Sequence, residues 1–213
     1  MKINKNFIVV LCAFIGFFVS LSNSVKAEDA PTNFRFRYSG SAIFSVPTGK
    51  CSSSVSYIND DSNSYGFVSQ SLGEILEVSI LRRFNGTKKN TNTINGKLAI
   101  FSEGRVIPAL CIGAADINTQ LGRRIYYTAA TKTFDDFGFS IHAGLCKDPI
   151  DNDKKAFFGL QKVILPLLTV AAERYDKIDT YGVKISPYPG VSLDIAQRDG
   201  KDEIFNLVYS RSY

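Results

Sequence analysis

The stretch VSLDIAQRDGKDEIFNLVYS, residues 191–210, constrains the fold more than any other part of the chain. Two runs of alternating apolar and polar residues flank Asp199-Gly200. Both turn residues tolerate positive φ, which a type I′ hairpin turn requires. A two-residue turn there sets Val191, Leu193 and Ile195 opposite Ile204, Asn206 and Val208. Phe205, Leu207 and Tyr209 then face the other way, and a strand with cover on both faces is expected in the interior of a sheet.

The same period of two recurs upstream. In FRFRYSGSAIFSV, residues 34–46, Phe34, Phe36 and Tyr38 alternate with Arg35 and Arg37. A short strand is expected near 55–58, ahead of a loop rich in Ser, Asn and Asp. GEILEVSILRRF aligns Leu76, Val78 and Ile80 on one face. KLAIF and RVIPALCIG read as strands, with Pro108 marking an edge or a bulge. Asn95-Gly96 reads as a tight turn. RRIYYTAATKTF and FGFSIHAGLC form a hairpin around Asp135-Asp136.

The pattern then changes. Phe157, Leu160, Ile164, Leu167, Leu168, Ala171 and Tyr175 are spaced three and four apart, which predicts an amphipathic helix. Asp151 or Asp153 suits its start. Pro166 breaks it, because proline removes a backbone hydrogen bond. The expected fold is therefore α+β: a mostly antiparallel β-sheet with one long, Pro-broken helical segment over about 152–176, followed by a C-terminal β-hairpin.

Residues 1–27 have the pattern of a cleavable secretory signal peptide, with Lys2 and Lys5 ahead of an apolar run from Phe7 to Val19 and Val25-Lys26-Ala27 at the cleavage site. The apolar run is shorter than the roughly 20 residues of a spanning helix, so no membrane span is expected after cleavage. Residues 28–213 are expected to form a single globular domain. The full chain carries 25 basic and 20 acidic residues. Removing Lys2, Lys5 and Lys26 leaves 22 minus 20, or +2. That balance argues against a nucleic-acid partner.

Three cysteines remain beyond the signal. In an exported protein thiols tend to pair, and Cys111 with Cys146 is the preferred disulfide. Cys51 is an alternative partner or stays single. His142, the one histidine of the chain, lies four residues before Cys146. On a strand such residues stand roughly 13 Å apart, and the pattern puts His142 on a polar, solvent-facing side. No metal site is expected. Asp60-Asp61 and Asp135-Asp136 sit in turn contexts, where adjacent carboxylates do not face each other across a cleft. No catalytic constellation, Gly-rich phosphate loop or cofactor motif is present.

The polar stretch RRFNGTKKNTNTIN gathers Arg82, Arg83, Phe84, Lys88 and Lys89 and reads as an interaction loop for an acidic partner. Together these features point to an exported, non-enzymatic interaction protein, secreted or periplasmic. A bacterial effector of the virulence type, binding a host or envelope protein, fits them. The alternatives are a secreted hydrolase with a thiol or carboxylate site, and a small envelope-structural subunit.

Overall fold

The computed structural model describes residues 51–60, 64–73, 75–84, 90–120, 124–147 and 154–213. The signal segment 1–27 and the 34–46 strand pattern lie outside these residues, as does the acidic run 148–153. Twelve strands follow one another: β1 (Ser52–Asp60), β2 (Ser64–Leu72), β3 (Leu76–Phe84), β4 (Thr91–Phe101), β5 (Ala109–Ala115), β6 (Ile125–Phe134), β7 (Phe139–Lys147), β8 (Lys154–Leu165), β9 (Leu168–Tyr175), β10 (Ile178–Tyr188), β11 (Val191–Arg198) and β12 (Asp202–Ser212). Each strand pairs antiparallel with its neighbours in sequence, and β12 pairs with β1, so the sheet closes into a barrel. The seam is fastened beyond the strands, where the Tyr213 N–H donates to the Cys51 carbonyl at 3.0 Å.

The α+β expectation is overturned. Among the described residues the helical content is one 3-10 turn, Asp135–Phe137. The segment expected as a broken helix is the hairpin β8–β9, with Leu165 paired to Leu168 across Pro166-Leu167. Proline at the first turn position supplies a preset φ and gives up no ladder hydrogen bond. Three-and-four spacing arose because both faces of these strands carry apolar side chains. Phe157 and Ala171 point inward and are buried, while Phe158, Ile164 and Val170 stand exposed outside.

Two turn expectations also change. Asn95-Gly96 lies within β4, where Asn95 pairs with Ser79 and Gly96 with Val78. Asp199 and Gly200 do turn the chain with φ of 50° and 67°, and the Lys201 N–H donates to the Arg198 carbonyl at 3.0 Å. Lys201 is nevertheless an extra residue, because Arg198 pairs with Asp202. Val191, Leu193 and Ile195 therefore lie opposite Tyr209, Leu207 and Phe205. A one-residue slip exchanges faces, and it places all six of these side chains on one side of the wall.

Candidate functional site: the inner wall of the barrel

Burial in this barrel is reversed relative to a water-soluble domain. Ten described hydrophobic residues are buried, against eighteen polar or charged ones. On β4, Thr93, Asn95 and Lys97 are buried and Ile94, Leu98 and Ile100 are exposed. On β12, Asn206 is fully buried and Phe205, Leu207 and Tyr209 are exposed.

The inward side chains form cross-strand rows. One runs Ser71–Glu77–Lys97–Gly113–Tyr127–Cys146–Lys155 across β2 to β8. Within it Lys97 Nζ lies 3.4 Å from Glu77 Oε1, both side chains being at most 1% exposed, and the Ser71 hydroxyl donates to Glu77 Oε2 at 3.4 Å. Gly113 is required beside them, since a Cβ there would stand 2.1 Å from the Tyr127 ring. A second row runs Thr131–His142–Gly159–Glu173–Thr180–Arg198 across β6 to β11. A third joins Lys184, Asp194 and Asn206, where Asn206 Nδ2 donates to Asp194 Oδ2 at 2.7 Å. Charged groups enclosed by protein persist when paired or hydrogen-bonded. These rows provide that environment.

The inner wall has two characters. Around β1 to β4 and β9 to β12 it presents mainly Ser, Thr, Asn and charged groups, with Phe67 and a small apolar cluster of Ala171, Ala196 and Ile204 among them. Around β5 to β8 it holds an apolar cluster of Cys111, Ala115, Tyr127, Ala129, Cys146 and Phe157. Phe157 covers Gly144, where a Cβ would meet its ring at 2.2 Å.

The sequence-predicted residues fall as follows. His142 is on the polar side of its strand, but that side faces inward: it is 4% exposed rather than solvent-facing. Its Nδ1 shares a 2.9 Å hydrogen bond with the Thr131 hydroxyl, and its ring lies 5.2 Å from that of Phe157. The preferred disulfide is absent, and no bridge joins Cys51, Cys111 and Cys146. Cys111 on β5 pairs with Ala129, and Cys146 on β7 pairs with Tyr127, so β6 stands between them. Two strand spacings amount to about 10 Å, beyond disulfide reach. Arg82 and Phe84 face outward on β3, the guanidinium 5.4 Å from the ring centroid. Arg83 faces inward beside Tyr65. Lys88 and Lys89 lie outside the described residues. Sequence reasoning passed over Glu77, Lys97, Glu173, Lys184 and Asp194. Their signal was a single charge set between apolar neighbours in a strand pattern, as Glu77 between Leu76 and Val78, Lys184 between Val183 and Ile185, and Asp194 between Leu193 and Ile195.

The outer face completes the geometry. Exposed aromatic residues gather toward both ends of the strands, with Tyr57, Tyr126, Phe158 and Tyr181 at one end and Phe101, Phe134, Tyr188 and Tyr209 at the other. Aliphatic residues such as Val68, Val78, Ile112 and Val183 lie between them. Most strands have 8 to 12 residues, close to the 9–11 needed to cross a bilayer at a tilt. An apolar belt between aromatic girdles, around a polar interior with no free sheet edge, is the architecture of a membrane-spanning β-barrel. No helix among the described residues is long and apolar enough to cross a membrane.

No protein-family model matches the chain, and no curated protein matches it in sequence. Solved structures do match its fold. The KdgM porin superposes with a TM-score of 0.57 at 9% identity, covering 76% of this chain and 99% of that one. KdgM in complex with disordered oligogalacturonate gives 0.55, at the same identity and coverage. The outer membrane protein Omp33 of Acinetobacter baumannii gives 0.48 at 11% identity, over 78% of this chain and 98% of that one. At such identities the KdgM likeness is one of fold. The expectations of a soluble secreted or periplasmic body, of no membrane span, and of an effector with a host protein partner are all overturned by the barrel and its apolar exterior. The alternatives, a secreted hydrolase and a small envelope-structural subunit, assumed the same soluble body and lose that premise.

Proposed function

We propose that this chain is an integral β-barrel of a bacterial outer membrane, and that its polar inner wall forms a passage for small hydrophilic solutes. The observation that carries this reading is the reversed polarity of the wall, with ion-paired and hydroxyl side chains inside and an apolar belt outside. A barrel made only as an anchor has no need of enclosed charges, each of which is costly to remove from water. The fold of KdgM, a porin, supports the same reading. The signal pattern of residues 1–27 supplies export, and cleavage after Ala27 leaves a chain that enters the membrane from the periplasm. Glu77, Lys97 and Asn206 are closely enclosed by their neighbours, so they brace the wall, and the passage follows the part-buried inward side chains Arg83, Lys155 and Arg198.

Planar-bilayer recording tests this directly. The refolded mature protein should give discrete conductance steps in potassium chloride, and vesicles containing it should swell in small neutral sugars faster than in large ones. Protein that is inserted, shown by heat-modifiable migration on a gel, yet gives neither steps nor swelling would remove the transport reading.

A further inference from the structure

The two rims of the barrel differ in chemistry. On the rim opposite Ser52 and Ser212, the tight turns are Asp176-Lys177 and Asp199-Gly200-Lys201. On the rim that carries Ser52 and Ser212, the connections present Ile75, Val106, Ile107 and Phe137, exposed to 64%, 84%, 61% and 69%. We propose that the connection 102–108 on this rim is a leaflet anchor. Its tip, Val106-Ile107, enters the boundary between headgroups and acyl chains, with Arg105 beside it at the level of the lipid phosphates. The inference rests on the membrane reading above.

Three observations carry it. First, the connection is held in place. Glu103 Oε1 accepts the Thr133 N–H at 2.6 Å and the Lys132 ammonium at 3.3 Å, and Lys132 Nζ also donates to the Gly104 carbonyl at 2.6 Å. The Gly104 N–H closes the tip onto the Ile107 carbonyl at 2.9 Å. Second, it is drawn outward. Lys132 pairs with Ile141 and alternates with the buried Ala129 and the inward Thr131, so it belongs to the lipid-facing side. The connection it fastens sits over the outer wall instead of across the mouth. Third, the tip continues an apolar surface, since Ile100, Phe101 and Phe134 are exposed on that side at 43%, 57% and 40%. Apolar groups held at a membrane boundary with a neighbouring cation fit an interfacial lipid site. In water they would form an exposed patch without a purpose.

The chain contains no tryptophan, so one introduced indole reports its own surroundings. Ile107→Trp, its twin Val106→Trp, and a belt control, Ile112→Trp, are each refolded as the full mature chain into phosphatidylcholine vesicles. Separate preparations carry acyl chains brominated near the headgroup or near the methyl end. Both tip variants should emit at blue-shifted wavelengths and lose most of their intensity to the shallow bromines, while resisting aqueous iodide. The belt control should respond to the deep bromines. If the belt control is quenched by lipid while both tip variants emit to the red and are quenched by iodide, the anchor is wrong and the barrel stands. If the belt control is also insensitive to lipid, the membrane reading fails and the anchor fails with it.

Discussion

One strand, β4, shows two opposed solutions to burial. Thr93, Asn95 and Lys97 are enclosed inside the barrel, and Ile94, Leu98 and Ile100 stand exposed outside it. The alternation is ordinary for a strand. Which face is polar depends on the solvent outside, because apolar surface avoids water and backbone and charged groups avoid hydrocarbon. In a water-soluble sandwich the exposed face of β4 would be the unfavourable one. In a bilayer it is the matched one, and the enclosed ion pair becomes the feature that needs support.

The strongest challenge to this contrast is made inside. Lys97→Met leaves the Glu77 carboxylate enclosed without its 3.4 Å partner, and should destabilise the barrel by about 3–5 kcal/mol. Adding Glu77→Gln should restore much of that loss. Urea unfolding in vesicles measures both, and a single variant of wild-type stability would mean that the row is open to water.

The outer face comes next. Ile94→Arg puts a charge in the lipid belt and should cost about 2–4 kcal/mol, whereas Phe84→Arg at the end of β3 should cost about 0–1 kcal/mol. Equal costs at the two positions would erase the distinction between belt and rim. Gly113→Ala is expected to have a smaller effect. Its Cβ would drive the Tyr127 ring from its place, a case of overpacking of about 1–3 kcal/mol that an altered near-ultraviolet signal from tyrosine would report. The smallest effect is expected at Ser79→Ala, which removes the acceptor of a 3.4 Å bond from Asn95 Nδ2 and should lower stability by about 1 kcal/mol. A larger loss there would show that the serine-rich side of the wall is drier than its composition suggests.

Strand positions were legible because period two is a local signal. The patterns at 73–84, 123–134 and 137–146 overlap β3, β6 and β7 to within three residues at each end, and the positive φ demanded at Asp199-Gly200 marks a real turn. What the local pattern cannot carry is the sign of the polarity. His142 sits on the polar side of β7 in either medium, but only a lipid exterior turns that side inward. The same ambiguity produced the helix: with apolar groups on both faces of β8 and β9, strand spacing passes for helical spacing, and Pro166 was the contrary signal. The inner site was illegible for a further reason. Its rows join residues from three, six or seven strands, and each strand contributes one residue that is unremarkable in its own segment.

Closure of the wall by β1 and β12 also dictates how the protein must form. The Ser53 and Tyr213 hydroxyls that meet at the seam, 2.7 Å apart, are 160 residues distant along the chain. Until they meet, the first and last strands each present a row of unmatched amides and carbonyls, and in hydrocarbon each such group costs several kcal/mol. A half-built wall therefore has no resting place in the bilayer, and its longest-range pairing is also the slowest kind to find. On the membrane reading proposed above, insertion and completion of the barrel are therefore expected to be one coupled kinetic event.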